Sequence, residues 1–301
     1  MTGAMSEPAL LEDAITHGEA VLDSGLRLHY VEAGEGPLVV LLHGFPEFWY
    51  SWHGQIQPLA DAGFHVVAPD MRGYNLSDKP RGWRAYDMQF LAGDVAALIR
   101  HFNVERADVV GHDWGAAVAY GVAALHPESV RRLAILNVPH PARMLAGFRT
   151  FKQLRKSWYM FFFQIPFLPE WLLRRDGYAP IKRALRADGA KLGRPTVFGD
   201  EMLERYVQAW SQDGALTAML NYYRAALRQN PRAATARMRP IDAPTLVIWG
   251  DRDTALGSEL AEPEARWVKD VRVEHLPEAT HWVQHDAPER VNELLVEFLG
   301  G

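Results

Sequence analysis

Seven short runs of branched and aliphatic residues take turns with longer stretches whose apolar positions recur every three to four residues. Parallel strands need long crossover connections, usually helical, so this rhythm predicts an α/β fold: a mostly parallel sheet with helices on both faces. The runs are Leu26–Ala33, Pro37–Leu42, Phe64–Ala68, Ala107–Val110, Leu133–Leu136, Thr245–Trp249 and Val271–Leu276. Pro37–Leu42 (PLVVLL) is continuously apolar, as a strand buried on both faces must be. Helical patterns fall near Phe48–Leu59, Asp87–His101, Ala116–His126, Glu259–Val268 and Pro288–Leu299. The alternation breaks once. From Pro139 to Pro240 the chain is helical in pattern, aromatic and rich in Arg, and the strand pattern resumes at Thr245. We therefore divide it into a first core part (1–138), an inserted helical lid (139–240) and a second core part (241–301).

Composition narrows the function. A chain of 301 residues with 48% hydrophobic content can bury a sizeable core. A formal net charge of −5 gives no basic surplus for nucleic acid. With no Cys, thiolate catalysis, thiolate metal sites and disulfides are excluded. No H-E-x-x-H or similar spacing occurs, so no metal and no cofactor is expected. No apolar run approaches the ~18 residues of a membrane span, and Met1–Ala20 lacks the features of a signal peptide. The expectation is a cytoplasmic protein with no membrane partner; a homodimer is left open.

Gly111-His112-Asp113-Trp114-Gly115 follows one strand and opens a helix. This is the setting of a nucleophile elbow, G-x-S-x-G, with Asp at the centre. The competing reading is an Asp that caps the helix. No Ser stands in a G-x-S-x-G frame. His43-Gly44-Phe45-Pro46 follows the buried strand, where a loop supplies a backbone N–H to an oxyanion hole; its partner would be the N–H after the nucleophile. Phe45 and Trp114 are the candidates. Gly250-Asp251-Arg252-Asp253 ends another strand, so Asp251 or Asp253 can face the same crevice as an acid. His281, on the last loop, is placed to act as general base. Its rivals are His275, inside a strand, and His285, read as a surface or capping residue beside the last helix.

Together HGFPE (43–47), DMRGYNLSDKP (70–80), GHDWG (111–115), NVPHP (137–141), GDRD (250–253) and the His281 loop resemble the epoxide hydrolases of the α/β-hydrolase fold, from about Ala20 to Phe298. GHDWG alone is shared with haloalkane dehalogenases. The resemblance selects Asp253 as the acid. It also implies two lid tyrosines that hydrogen-bond the epoxide oxygen, matched here by Tyr159 in SWYMFFFQIP and Tyr223 in NYYR. It implies a small epoxide and water as reactants, an ester on Asp113 and hydrolysis of that ester by water activated by His281. Phe45, Trp114, Tyr159 and Tyr223 would contact substrate. Since His281 must be neutral to accept a proton, activity should fall at low pH.

Two other readings are weighed. A dehalogenase would use the same Asp113, but the second halide donor of that group, often an Asn after HG, is here Phe45, and the arginines that hold a haloacetate are replaced by Trp114 and Ala117. A non-catalytic binding protein would carry a broken residue set.

Overall fold

The computed structural model describes residues 14–193, 195–228 and 239–301. The end of the expected lid (229–238) and the first thirteen residues therefore lie outside it. Eight strands form one sheet: β1 (Thr16–Val21), β2 (Arg27–Ala33), β3 (Leu38–Leu42), β4 (His65–Pro69), β5 (Ala107–His112), β6 (Val130–Leu136), β7 (Thr245–Gly250) and β8 (Val271–Leu276), in the order β1-β2-β4-β3-β5-β6-β7-β8. Strand β2 runs antiparallel to both its neighbours, and all pairs from β4 to β8 are parallel. Every residue of β3, β5 and β7 is buried, so none of these runs alternates; β3 is wholly apolar, while β5 buries one charge, Asp108, paired with Arg131.

The sequence reading missed β1. Its residues (THGEAV) are mostly exposed, as an edge strand tolerates, so no apolar period marks them. The reading also expected a helix at Glu259–Val268. The chain there makes only a 3₁₀ turn at Ser258–Leu260 and then irregular structure up to a bridge between Val268 and Ile241. Pro263 explains this: it has no N–H to give and turns Glu262 away from helical ψ.

From β3 the chain steps to β4 on one side, then crosses back to β5 on the other. Parallel crossovers are right-handed, so reversing the direction of travel puts successive helices on opposite faces. The helix Met88–His101 packs against Trp114–Leu125, and His53–Asp61 against Pro288–Gly300. The crevice at the carboxyl ends of β3 and β5 is left open by this reversal, and such a switch point is where open α/β sheets bind ligands.

Between β6 and β7 the described chain is helical: Pro141–Gly147, Phe151–Lys156, Trp158–Phe162, Leu168–Lys191, Asp200–Trp210 and Ala215–Arg228. The long Leu168–Lys191 segment is broken at Arg175–Tyr178, where Asp176, Gly177 and Tyr178 take positive φ. Apolar faces of the last two helices bury Tyr206, Trp210 and Tyr222 against the core. Burying one large side chain stabilises by about 1.5–3 kcal/mol, so this packing anchors the helical segment over the sheet.

Candidate active site

Strand register assembles the site. Leu42 lies beside Gly111, His112 beside Leu136, Leu136 beside Ile248, and Gly250 beside Leu276. Parallel pairing thus brings the carboxyl ends of β3, β5, β6, β7 and β8 into one row. The next residues of each strand then meet: Phe45 after β3, Asp113 after β5, Asn137 after β6, Asp253 after β7 and His281 after β8.

Asp113 sits at φ 49° and ψ −122°, a region L-residues avoid at a cost of about 1–3 kcal/mol. Close approach enforces the turn. A Cβ on Gly44 would collide with the Asp113 side chain, and one on Gly115 with the carbonyl of Leu42. The Asp113 carboxylate makes no capping hydrogen bond to the helix that follows. Instead Oδ1 accepts from the Phe45 N–H at 2.8 Å, and Oδ2 lies 3.4 Å from His281 Nε2. Trp114 is the first residue of the helix, so its amide is one of the donors a helix leaves without an internal acceptor.

His281 Nδ1 is 2.7 Å from Asp253 Oδ2. Asp253 is fully buried and saturated: Asn137 Nδ2 donates to Oδ2 at 2.9 Å, and the Ala255 and Leu256 amides donate to Oδ1 at 2.7 Å each. Asn137 in turn accepts from the Gly250 N–H at 2.8 Å, tying β6 to the Asp253 loop. The sequence reading gave Asn137 no role, although it opens the NVPHP motif. Asp251 holds His275 at 2.6 Å on the surface, so of the two aspartates in GDRD only Asp253 reaches the crevice.

Electrostatics couples the three. Burial disfavours the imidazolium of His281, but the Asp253 and Asp113 carboxylates outweigh it and hold its pKa well above the ordinary value. Burial likewise pushes the two carboxyls up, and His281 more than offsets this; both end below the usual carboxylate value, helped at Asp113 by the Phe45 amide and at Asp253 by Leu256 and Asn137. The two carboxylates thus favour the imidazolium form of His281 in the resting site, and the proton must leave before His281 can act as a base.

A cavity of about 440 Å³ opens in front of Asp113 and His281, lined by Phe45, Tyr159, Phe163, Leu173, Ile181 and Tyr223 among others. The Tyr159 and Tyr223 rings stand edge to face, 5.8 Å apart, and Tyr223 packs in the same way on Phe45 and Trp114. Desolvation, and then the nearby Asp113 charge, raises both phenol pKa values far above 10, so both stay protonated donors. The neighbouring Tyr222 is committed elsewhere, donating to the Arg72 carbonyl at 2.8 Å. The Trp114 side chain donates to the Tyr223 hydroxyl and also borders a second cavity of about 510 Å³ with Tyr120, His140 and Tyr222.

Two further groups escaped the sequence reading. Gln164 Nε2 donates to the carbonyls of Met160 and Tyr223, and Arg224 to those of Phe163 and Ile165 and to Glu170, so the segments bearing the two tyrosines are locked together. Behind the elbow, Glu47 is completely buried. It accepts from Tyr206 at 2.8 Å and lies 2.7 Å from His285 Nε2 and 3.2 Å from His112 Nδ1. His285 is thus no surface or capping residue: its ring stacks on His53, and only 2% of its side chain is exposed. The E of HGFPE was the available signal. Among the described residues no group of three His, Asp or Glu side chains is placed to hold a metal ion.

Residues 37–288 match the family model described as the alpha/beta hydrolase fold. The AB hydrolase superfamily protein YfhM of Bacillus subtilis is 44% identical over 92% of this chain and 95% of its own length. Epoxide hydrolase 4 of Homo sapiens is 38% identical over 93% of this chain and 77% of its own. The crystal structure of the Bacillus megaterium epoxide hydrolase in complex with an inhibitor superposes with a TM-score of 0.84 at 30% identity, covering 94% of this chain and all of that one.

Proposed function

The chain belongs to the α/β-hydrolase fold family, and we propose that within it the protein is an epoxide hydrolase that forms a vicinal diol through an ester on Asp113. The observation that carries this reading is the facing arrangement in one cavity: a carboxylate with a base behind it on one side, two protonated phenols on the other.

An epoxide carbon is sp³ and must be attacked in line. Asp113 Oδ2, the oxygen not held by the Phe45 amide, forms the new C–O bond as the ring C–O bond breaks. Tyr159 and Tyr223 donate to the departing oxygen, which is a poor leaving group without a proton. The imidazolium of His281 makes good the proton the phenols give up. Esterification also removes one of the two negative charges that hold His281 protonated. The imidazole is then neutral at the stage where it takes a proton from water. That water attacks Asp113 Cγ, and the oxyanion forms on Oδ1, already facing the Phe45 amide, with the Trp114 amide as its second donor. Collapse breaks the Cγ–Oδ2 bond; His281 protonates the departing alkoxide to give the diol, and the Asp113 carboxyl returns its proton to His281. Asp253, fixed by Asn137 and two amides, keeps Nε2 of His281 turned to the ester.

Phe45 counts against a dehalogenase, since its side chain offers no donor to a leaving halide. The deciding experiment is one turnover in oxygen-18 water. The label should enter the Asp113 carboxylate, because the diol's new oxygen comes from the enzyme. Label found only in the diol would mean that water attacks the epoxide directly, and that Asp113 is not the nucleophile.

A further inference from the structure

Nine of the twelve large apolar side chains exposed in the described chain lie between Leu145 and Trp171. Phe151, Trp158, Phe167 and Trp171 are 82%, 63%, 84% and 59% exposed. They sit on consecutive short helices and turns of one segment, not scattered singly as surface apolar residues ordinarily are. The same segment is strongly basic. Residues 143–191 hold eleven Lys and Arg against three Asp and Glu, in a chain whose formal net charge is −5. Arg149, Arg155, Arg174 and Arg175 are exposed, and among the described residues none of the four is in an ion pair. Arg175 lies over the Trp171 ring at 5.0 Å. Trp158 belongs to both surfaces: it is exposed, and it lines the cavity that holds Asp113.

We propose that this aromatic, basic face of the helical segment docks on the surface of an anionic lipid bilayer, with the mouth of the Asp113 cavity turned towards the membrane. Aromatic rings favour the boundary between headgroups and acyl chains, while Lys and Arg gain from anionic headgroups. The charge selects this occupant. A second copy of the chain would bring the same positive surplus against itself, and like charge across an interface is costly. The sequence expectation of no membrane partner rested on the lack of a spanning run. None of the described helices is long and apolar enough to cross a bilayer, but surface docking needs no span. Docking does not depend on the epoxide reading. Only its benefit does: apolar epoxides dissolve in the bilayer and would enter the cavity from there.

Co-sedimentation of the full chain with vesicles tests this without any turnover. Protein should pellet with vesicles containing phosphatidylglycerol, stay in solution with pure phosphatidylcholine, and be released at about 1 M salt, where the screening length falls to ~3 Å. Each basic side chain at an anionic surface changes partitioning roughly fivefold, so Arg149→Glu with Arg155→Glu should weaken binding more than about tenfold. Phe151→Ser with Phe167→Ser should weaken it as well, with folding by circular dichroism and turnover of soluble substrate unchanged. Wild-type protein that fails to pellet with anionic vesicles, or pellets equally with neutral ones, overturns the proposal. So does a dimer in analytical ultracentrifugation that the Phe151→Ser, Phe167→Ser variant dissociates, since the face would then be covered by a second copy.

Discussion

Two carboxylate–imidazole clusters lie a few residues apart at the carboxyl end of the sheet. Asp113–His281–Asp253 faces a cavity, and 16% of the Asp113 side chain is accessible. Glu47–His285–His112 lies behind it with the carboxylate wholly enclosed and accepting from Tyr206 and Gln284 as well. Both are buried, and in both the imidazoles hold a carboxyl below its usual value against the opposing effect of burial. A perturbed pKa therefore does not tell them apart. What does is access: Asp113 lines the cavity, with one oxygen held by an amide and the other meeting only the His281 ring at 3.4 Å, whereas both oxygens of Glu47 are engaged away from it. The clusters are joined, since His112 Nε2 is 2.8 Å from the His281 carbonyl.

The largest effects should come from the open cluster. Asp113→Ala should abolish turnover, at least about 10⁴-fold, in a folded protein, because the covalent step has no substitute. Wild-type rates in that variant would make the difference between the clusters meaningless for chemistry. His281→Gln should stop steady-state turnover yet still allow one alkylation of Asp113, since in a single turnover the phenols can give up a proton without His281 to replace it. Mass spectrometry after mixing with epoxide should show the full substrate mass added to the peptide containing Asp113. An adduct lighter by hydrogen halide, seen only with halogenated substrates, would point to a dehalogenase.

The next effects come from the facing tyrosines. Tyr159→Phe and Tyr223→Phe should each slow ring opening by about 10²–10³-fold, the usual cost of losing one transition-state donor. The double variant should nearly stop it in single-turnover experiments. Tyr222→Phe, whose hydroxyl serves the Arg72 carbonyl, should leave the rate close to wild type.

The pH dependence separates the two steps. Asp113 is depressed, so ring opening should persist as pH falls until below about 4, where the carboxylate is finally protonated. His281 is raised at rest by two carboxylates, but in the ester only Asp253 remains charged. Where ester hydrolysis limits kcat, the acid limb of kcat should therefore lie at higher pH than that of kcat/KM, with ester accumulating between them. Coincident limbs would show that His281 does not act as the base in the second step.

Much of this was legible in the chain. Continuous apolar runs fixed the buried strands, and the positions after them located Asp113, His281 and Phe45, because a parallel sheet aligns its carboxyl ends. Asp253 was narrowed to two residues by the same logic and selected only by the family resemblance. The unread parts share one cause: they depend on partners distant in sequence. Glu47 and His285 are separated by 238 positions, and Asn137 and Asp253 by 116, so no local period or spacing marks either pair. His285 looks like a helix-end residue until the fold encloses it. β1 and the absent helix at 259–268 show the limit from the other side: an exposed edge strand has no apolar signal, and a helical-looking pattern failed at Pro263.

The smallest effect on activity, and the sharpest test of the contrast, belongs to Glu47→Gln. The substitution keeps shape and removes charge, leaving two imidazoles buried beside a neutral amide. Breaking a buried ion pair typically costs about 3–5 kcal/mol, and the amide's remaining hydrogen bonds place this change near the lower end. The carboxyl's folded pKa is depressed from 4.5. Its stabilisation is thus in full above the ordinary value and fades only as pH falls through the depressed one. Denaturant titrations should show the gap between wild type and variant at neutral pH, constant down to about pH 4.5. Turnover should stay within a few-fold, because no oxygen of Glu47 reaches the cavity, and what passes through His112 to the His281 carbonyl is position, not protons. A folded Glu47→Gln protein that had lost its ester-hydrolysis step would place the enclosed cluster inside the chemistry, and access to the cavity would no longer divide the two.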